Sequence, residues 1–173
     1  MSRSNARAAL LEALEQAMRK ASAQGVLYGQ SVANAVGISG SDLDCLDLLN
    51  FEGRVTAGRL AEVTGLTTGA ITGVVDRLEK AGLVRRERDE ADRRKVYIVI
   101  LPASAARIGR YYLPLQEKMH KVWGTYSDAE LQLLLRFATE GYKASVDATQ
   151  ALNGLIKEGT SKRETARTPR RTR

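Results

Sequence analysis

The stretch LAEVTGLTTGAITGVVDRLEKAG, Leu60 to Gly82, decides how the rest of the chain is read. Thr56 stands four residues ahead of it as a plausible N-cap, with Leu60 and Ala61 turned inward on a short helix. Gly65 is well placed to end that helix in a left-handed turn. A second helix starts at Thr67, and Ile71, Val74, Val75 and Leu78 form one strict apolar stripe along it. Its opposite face reads Thr68, Gly69, Thr72, Gly73 and Asp76. Each interior glycine costs a helix roughly 0.5–1 kcal/mol relative to alanine, so two on an outward face need a reason. Either something large approaches that face, or the glycines mark tight packing within the chain. Helix, glycine turn and helix with a smooth outward face is the geometry of a helix-turn-helix, whose second helix lies in a DNA major groove.

Working outward toward the C-terminus, Leu83 to Arg88 reads as a strand. Lys95 to Leu101 reads as its partner, with Val96, Ile98 and Ile100 alternating against Tyr97, Val99 and Leu101. The run RRERDEADRRK, Arg85 to Lys95, then becomes the tip of a hairpin, with its cations free for phosphate or minor-groove contact or simply solvated. Toward the N-terminus, residues 4–36 carry Leu10, Leu14, Ala17, Met18 and Ala21 at helical spacing, weakened by Gly25 and Gly29. Ser39 and Asp42 form a capping box for a short helix bearing Leu43, Leu46, Leu48 and Leu49. Beyond the hairpin a helix spans Ala103 to about Trp123, kinked or split by Pro114. Ser127 with Glu130 caps a long helix carrying Leu131, Leu134, Leu135, Ala138, Tyr142, Val146 and Leu152. A DNA-binding unit of this size is too small to cover both long terminal helices, whereas isologous pairing of two chains would cover them.

Composition offers little to a catalyst. The 173 residues suit one domain with a real core. One cysteine, Cys45, and one histidine, His120, leave no disulfide framework, metal cluster or imidazole machinery. No nucleophile with a base and no phosphate-binding glycine loop is apparent, so the chain is not expected to be an enzyme and needs no cofactor or metal. No run reaches the length of a membrane span, which implies a cytoplasmic protein without a membrane partner. Residues 157–173 hold seven Lys/Arg against two Glu, so they account for +5 of the net +7. This end, finishing in RETARTPRRTR, reads as a disordered basic tail with a general attraction for phosphate.

The segment from Leu60 to Leu101 resembles the winged helix-turn-helix core of the multiple-antibiotic-resistance regulator (MarR) family. Ala61, Gly65 and Ile71, the string DRLEKAGLVRR from Asp76 to Arg86, and the triplet Asp92, Arg93 and Arg94 carry the likeness. Gly73 stands where some members have a base-reading arginine. The resemblance implies a mainly α fold with a small β-hairpin wing, in which the winged helix-turn-helix occupies residues 39–101. Dimerisation helices would flank it at 5–36 and 103–155. It also implies a homodimer on a palindromic site in double-stranded DNA, a repressor released by a small aromatic or anionic effector. The expected DNA-facing residues are Thr67, Thr68, Gly69, Ala70, Thr72, Gly73, Arg77, Arg86, Arg88, Arg93 and Arg94, with Asp92 orienting its neighbours. Tyr28, Asp47, Tyr111 and Tyr112 lie in elements that could line an effector pocket. Two alternatives stay open: a redox-responsive regulator using Cys45, which sits among leucines as a small core residue would, and a winged-helix module that docks protein.

Overall fold

The computed structural model describes the backbone of residues 3–167 and the side chains of residues 4–156. Among the described residues ten elements follow one another: α1 (Arg3–Val36), α2 (Gly40–Glu52), β1 (Arg54–Thr56), α3 (Ala57–Thr64), α4 (Thr68–Lys80), β2 (Val84–Arg88), β3 (Val96–Ile100), α5 (Pro102–Gly109), α6 (Leu113–Trp123) and α7 (Asp128–Arg167). They fall into two compact units that divide after Pro114.

The capping chemistry read from the sequence is present. The Ser39 hydroxyl accepts from the Asp42 N–H at 3.2 Å while the Asp42 carboxylate accepts from the Ser39 N–H at 3.2 Å, closing the box that starts α2. Thr56 caps α3 and Thr67 caps α4, each through a hydroxyl that accepts a backbone N–H three residues on at 3.2 Å. Gly65 ends α3 at φ +71°, a left-handed turn that only glycine adopts without strain. These signals are local, so a few residues suffice to specify them.

The core of the first unit forms around α4. Its stripe of Ile71, Val74, Val75 and Leu78 is buried together with Leu43, Leu46 and Leu49 of α2 and Leu60 of α3. Leu83, Val84 and Ile98 close this core from the hairpin side, and Val32 and Ala33 from α1. The sheet is three-stranded and antiparallel in the order β1-β3-β2. Val84 pairs with Ile100 and Arg88 with Val96 in the hairpin, and Val55 pairs with Ile98 on the other side of β3. The expected strands are each shorter: Leu83 precedes β2, and Leu101 leaves the sheet to cap α5 while its N–H still bonds the Leu83 carbonyl at 3.0 Å.

Strand β1 was not anticipated. Three residues between a glycine and a helix cap contain no period to detect, and only pairing with β3 makes them a strand. The helix expected from Ala103 to Trp123 is split, but at residues 110–112, ahead of Pro114. Pro114 sits in the first turn of α6, where its missing N–H would have had no partner in any case.

In the second unit, Ser127 and Glu130 form the capping box that opens α7, with the Ser127 N–H donating to the Glu130 carboxylate at 2.8 Å. Helix α7 runs on to Arg167, past the boundary near 155 and into the segment read as a disordered tail; the rest of that tail lies outside the described residues. The stripes of the terminal helices stay open in the single chain. Leu10, Leu14 and Met18 of α1 are exposed, as are Leu134, Leu135, Tyr142 and Leu152 of α7.

Candidate nucleic-acid interface

Helix α4 presents Thr68, Gly69, Thr72 and Gly73 away from its buried stripe. The Thr72 hydroxyl donates to the Thr68 carbonyl at 3.0 Å, so part of this polar face is tied to its own helix. A Cβ added at Gly69 would meet nothing within 4 Å, and one at Gly73 would only touch an Arg77 nitrogen at 3.6 Å. Neither glycine is needed for packing inside the chain. Tight packing within the chain therefore does not account for the outward glycines.

The arginines divide into two sets. Arg77, on α4, donates through Nη2 and Nε to the two Asp42 carboxylate oxygens at 2.6 and 3.3 Å. Asp42 is buried, with 3% of its surface exposed, and its other contacts belong to the α2 capping box. Burial alone would raise this carboxyl, but the hydrogen bonds from Arg77 and Ser39 outweigh that and hold it below the usual carboxylate range. Arg86, on β2, pairs with Asp76 at 2.7 Å and also with Glu79, whose carboxylate accepts the Arg86 backbone N–H at 3.2 Å as well. Both side chains were expected to face DNA. Both are engaged by carboxylates of the chain itself, one locking α4 to α2 and the other strapping α4 to the hairpin.

The second set lies further out. Arg88 and Arg93 are exposed and pair with no carboxylate among the described residues. Arg94 is 97% exposed, with its Nε 3.8 Å from Asp92. The acids of the tip shape the backbone under these cations. Asp89 accepts the N–H groups of Ala91 and Asp92 at 3.0 and 2.9 Å, and Asp92 accepts that of Arg94 at 3.1 Å. The Asp89 carboxyl is accordingly held below the usual range, by the Asp92 amide foremost.

Tyr28, Asp47, Tyr111 and Tyr112 come together where α1, α2 and the turn at 110–112 meet. The Tyr28 hydroxyl donates to the Tyr111 carbonyl at 2.6 Å, and the Tyr28 and Tyr112 rings lie 5.8 Å apart. Burial and the nearby Asp44 charge raise the Asp47 carboxyl, against a hydrogen bond from Tyr112. Asp44 was missed from sequence because a single exposed acid on a helix carries no signal of its own.

Cys45 is fully buried, and its thiol is pushed up to about 11 by burial first and then by Asp44 and Asp42. A thiol in this state is a poor nucleophile and a poor peroxide target. In native protein at pH 8, Cys45 is expected to react with a disulfide reagent only after denaturant is added, as followed by thiolate release; prompt native reaction would revive the redox reading. Among the described residues no group of side chains could hold a metal, and no helix is long and apolar enough to cross a membrane.

A three-stranded sheet and a helix-turn-helix sharing one core define the winged helix-turn-helix class. Residues 36–95 match the model of the MarR family. The HTH-type transcriptional regulator YcgE of Bacillus subtilis is 44% identical over 137 residues, 79% of this chain and 89% of that protein. YetL of the same organism, named an HTH-type transcriptional repressor, is 29% identical over 83 residues, 48% of this chain and 50% of that one. Among solved structures, a MarR family protein from Bacillus stearothermophilus superposes with a TM-score of 0.62 at 26% identity, covering 79% of this chain and 95% of the other. Wild-type MarR from E. coli shares the fold at a TM-score of 0.53 and 18% identity, over 73% of this chain and 94% of the other. The chain belongs to the MarR family. It is a transcriptional regulator with a helix-turn-helix fold, and its relatives are named as regulators, not enzymes.

Proposed function

We propose that this regulator binds duplex DNA as a homodimer and represses transcription from a palindromic operator. Helix α4 enters the major groove through Thr67, Thr68, Gly69, Ala70, Thr72 and Gly73, and the wing places Arg88, Arg93 and Arg94 along the flanking phosphates and minor groove. The observation that carries this reading is the sorting of the arginines. Those at the base of the site are neutralised by Asp42, Asp76 and Glu79, while at the wing Arg88 and Arg93 meet no carboxylate among the described residues and Arg94 stays 97% exposed beside Asp92 alone. The exposed leucines of α1 and α7 support dimerisation, and the likeness to YetL, named a repressor, supports repression. An effector would act at the Tyr28, Asp47 and Tyr112 cluster, where two acids make an uncharged phenol a better fit than an anion.

Selection of bound fragments from the source genome, followed by fluorescence anisotropy on the recovered duplex at two salt concentrations, tests the reading. A palindromic consensus bound by a species of twice the chain mass in light scattering is expected. Binding without sequence preference, or a well-behaved monomer on the duplex, would overturn it.

A further inference from the structure

Arg54 belongs to β1, outside the wing hairpin, yet its side chain ends on the wing. Its Nη2 donates to Asp89 Oδ2 at 3.0 Å, and its guanidinium carbon lies 4.2 Å from the centroid of the Tyr97 ring on β3. The other Asp89 oxygen, Oδ1, accepts the Ala91 and Asp92 N–H groups that fold the tip. One carboxylate, only 15% exposed, therefore carries Arg54 on one oxygen and the turn on the other. The turn in turn sets Asp92, which accepts the Arg94 N–H. Thr56, two residues beyond Arg54, caps α3, so the same strand also joins the helix-turn-helix.

We propose that Arg54 is a positioning residue for the wing, fixing the tip that presents Arg94 relative to the helix-turn-helix through the contacts of Asp89. The inference rests on the reading that Arg94 contacts DNA. The Arg54 side chain is 54% exposed, but its guanidinium lies over the Tyr97 ring with the Asp89 carboxylate on one nitrogen, so its role is placed in holding the tip and not on phosphate.

The test uses full-length protein, the operator duplex recovered by selection, and the variants Arg54→Met, Arg54→Lys, Arg94→Ala and the Arg54→Met/Arg94→Ala double. Arg54→Met is expected to weaken operator binding roughly two- to fivefold, the scale of a partly exposed ion pair. Arg54→Lys, which keeps the charge, recovers part of that loss. In the Arg94→Ala background Arg54→Met costs clearly less than in the wild type, because the main contact it positions is already gone. In DNA-free protein the Asp89 carboxyl, followed by NMR, titrates at higher pH once Arg54 is gone. An Arg54→Met loss that adds fully to that of Arg94→Ala, with a salt slope reduced by about 1, would make Arg54 a phosphate contact and overturn the proposal. Unchanged titration of Asp89 would overturn it as well. If Arg94→Ala alone leaves affinity intact, the wing reading fails by itself, and the Asp89 titration still decides whether Arg54 holds the tip.

Discussion

Replacing Asp42 with Asn is expected to lower stability at neutral pH by about 1.5–3 kcal/mol, the range for a hydrogen bond to a charged group. Asn keeps the shape and can still accept the Ser39 N–H, so the capping box survives. It turns an amide N–H toward a guanidinium that had met an oxygen on each of two nitrogens. The pH dependence gives the effect a signature. The folded carboxyl titrates below its usual value of 3.8, so its contribution is complete above about pH 4 and is lost as pH falls through the folded value. Urea denaturation midpoints of wild type and variant should differ at pH 7 and converge on acidification. Equal midpoints at pH 7 would mean that the pair contributes nothing net, as some ion pairs do. Because Arg77 rides on α4, the same change should also weaken operator binding.

Arg94→Ala should leave stability and dimerisation unchanged while operator affinity falls roughly ten- to a hundredfold, the range for a good specific contact. An exposed tip contributes little to folding, so the two effects separate cleanly. A narrow minor groove concentrates negative potential, which is where a single extended arginine gains most. Asp92→Ala should lose less, in the same direction, since it frees the Arg94 N–H but removes no cation. Anisotropy titrations at physiological salt would settle it. Wild-type affinity for Arg94→Ala, together with tighter binding by Asp92→Ala, would reduce the wing to a solvated hairpin.

Arg77 and Arg86 mark where reading from sequence stops short. Both sit at positions that look DNA-facing, one on the second helix and one at the start of the wing. Their partners are side chains on other elements, and charge pattern alone does not say which acid each arginine meets. The tyrosine and aspartate cluster shows the converse. Its four members were named from the elements they occupy, and folding brings them together, but it also ties Tyr28 to the Tyr111 carbonyl, Tyr112 to Asp47 and the Tyr111 hydroxyl to Arg110 and Ala35.

The sequence by itself determined the helix-turn-helix, its caps, its glycine turn and the hairpin. Those signals act over three or four residues, or repeat with the period of one element. Tertiary structure decided the rest: that RVT becomes a third strand, that α6 begins ahead of its proline, and that Asp42 meets Arg77 and Arg54 meets Asp89 across 35 residues of chain in each case. Such pairings depend on which faces the core brings side by side, and a core shared by five helices and a sheet exists only once all of them have packed.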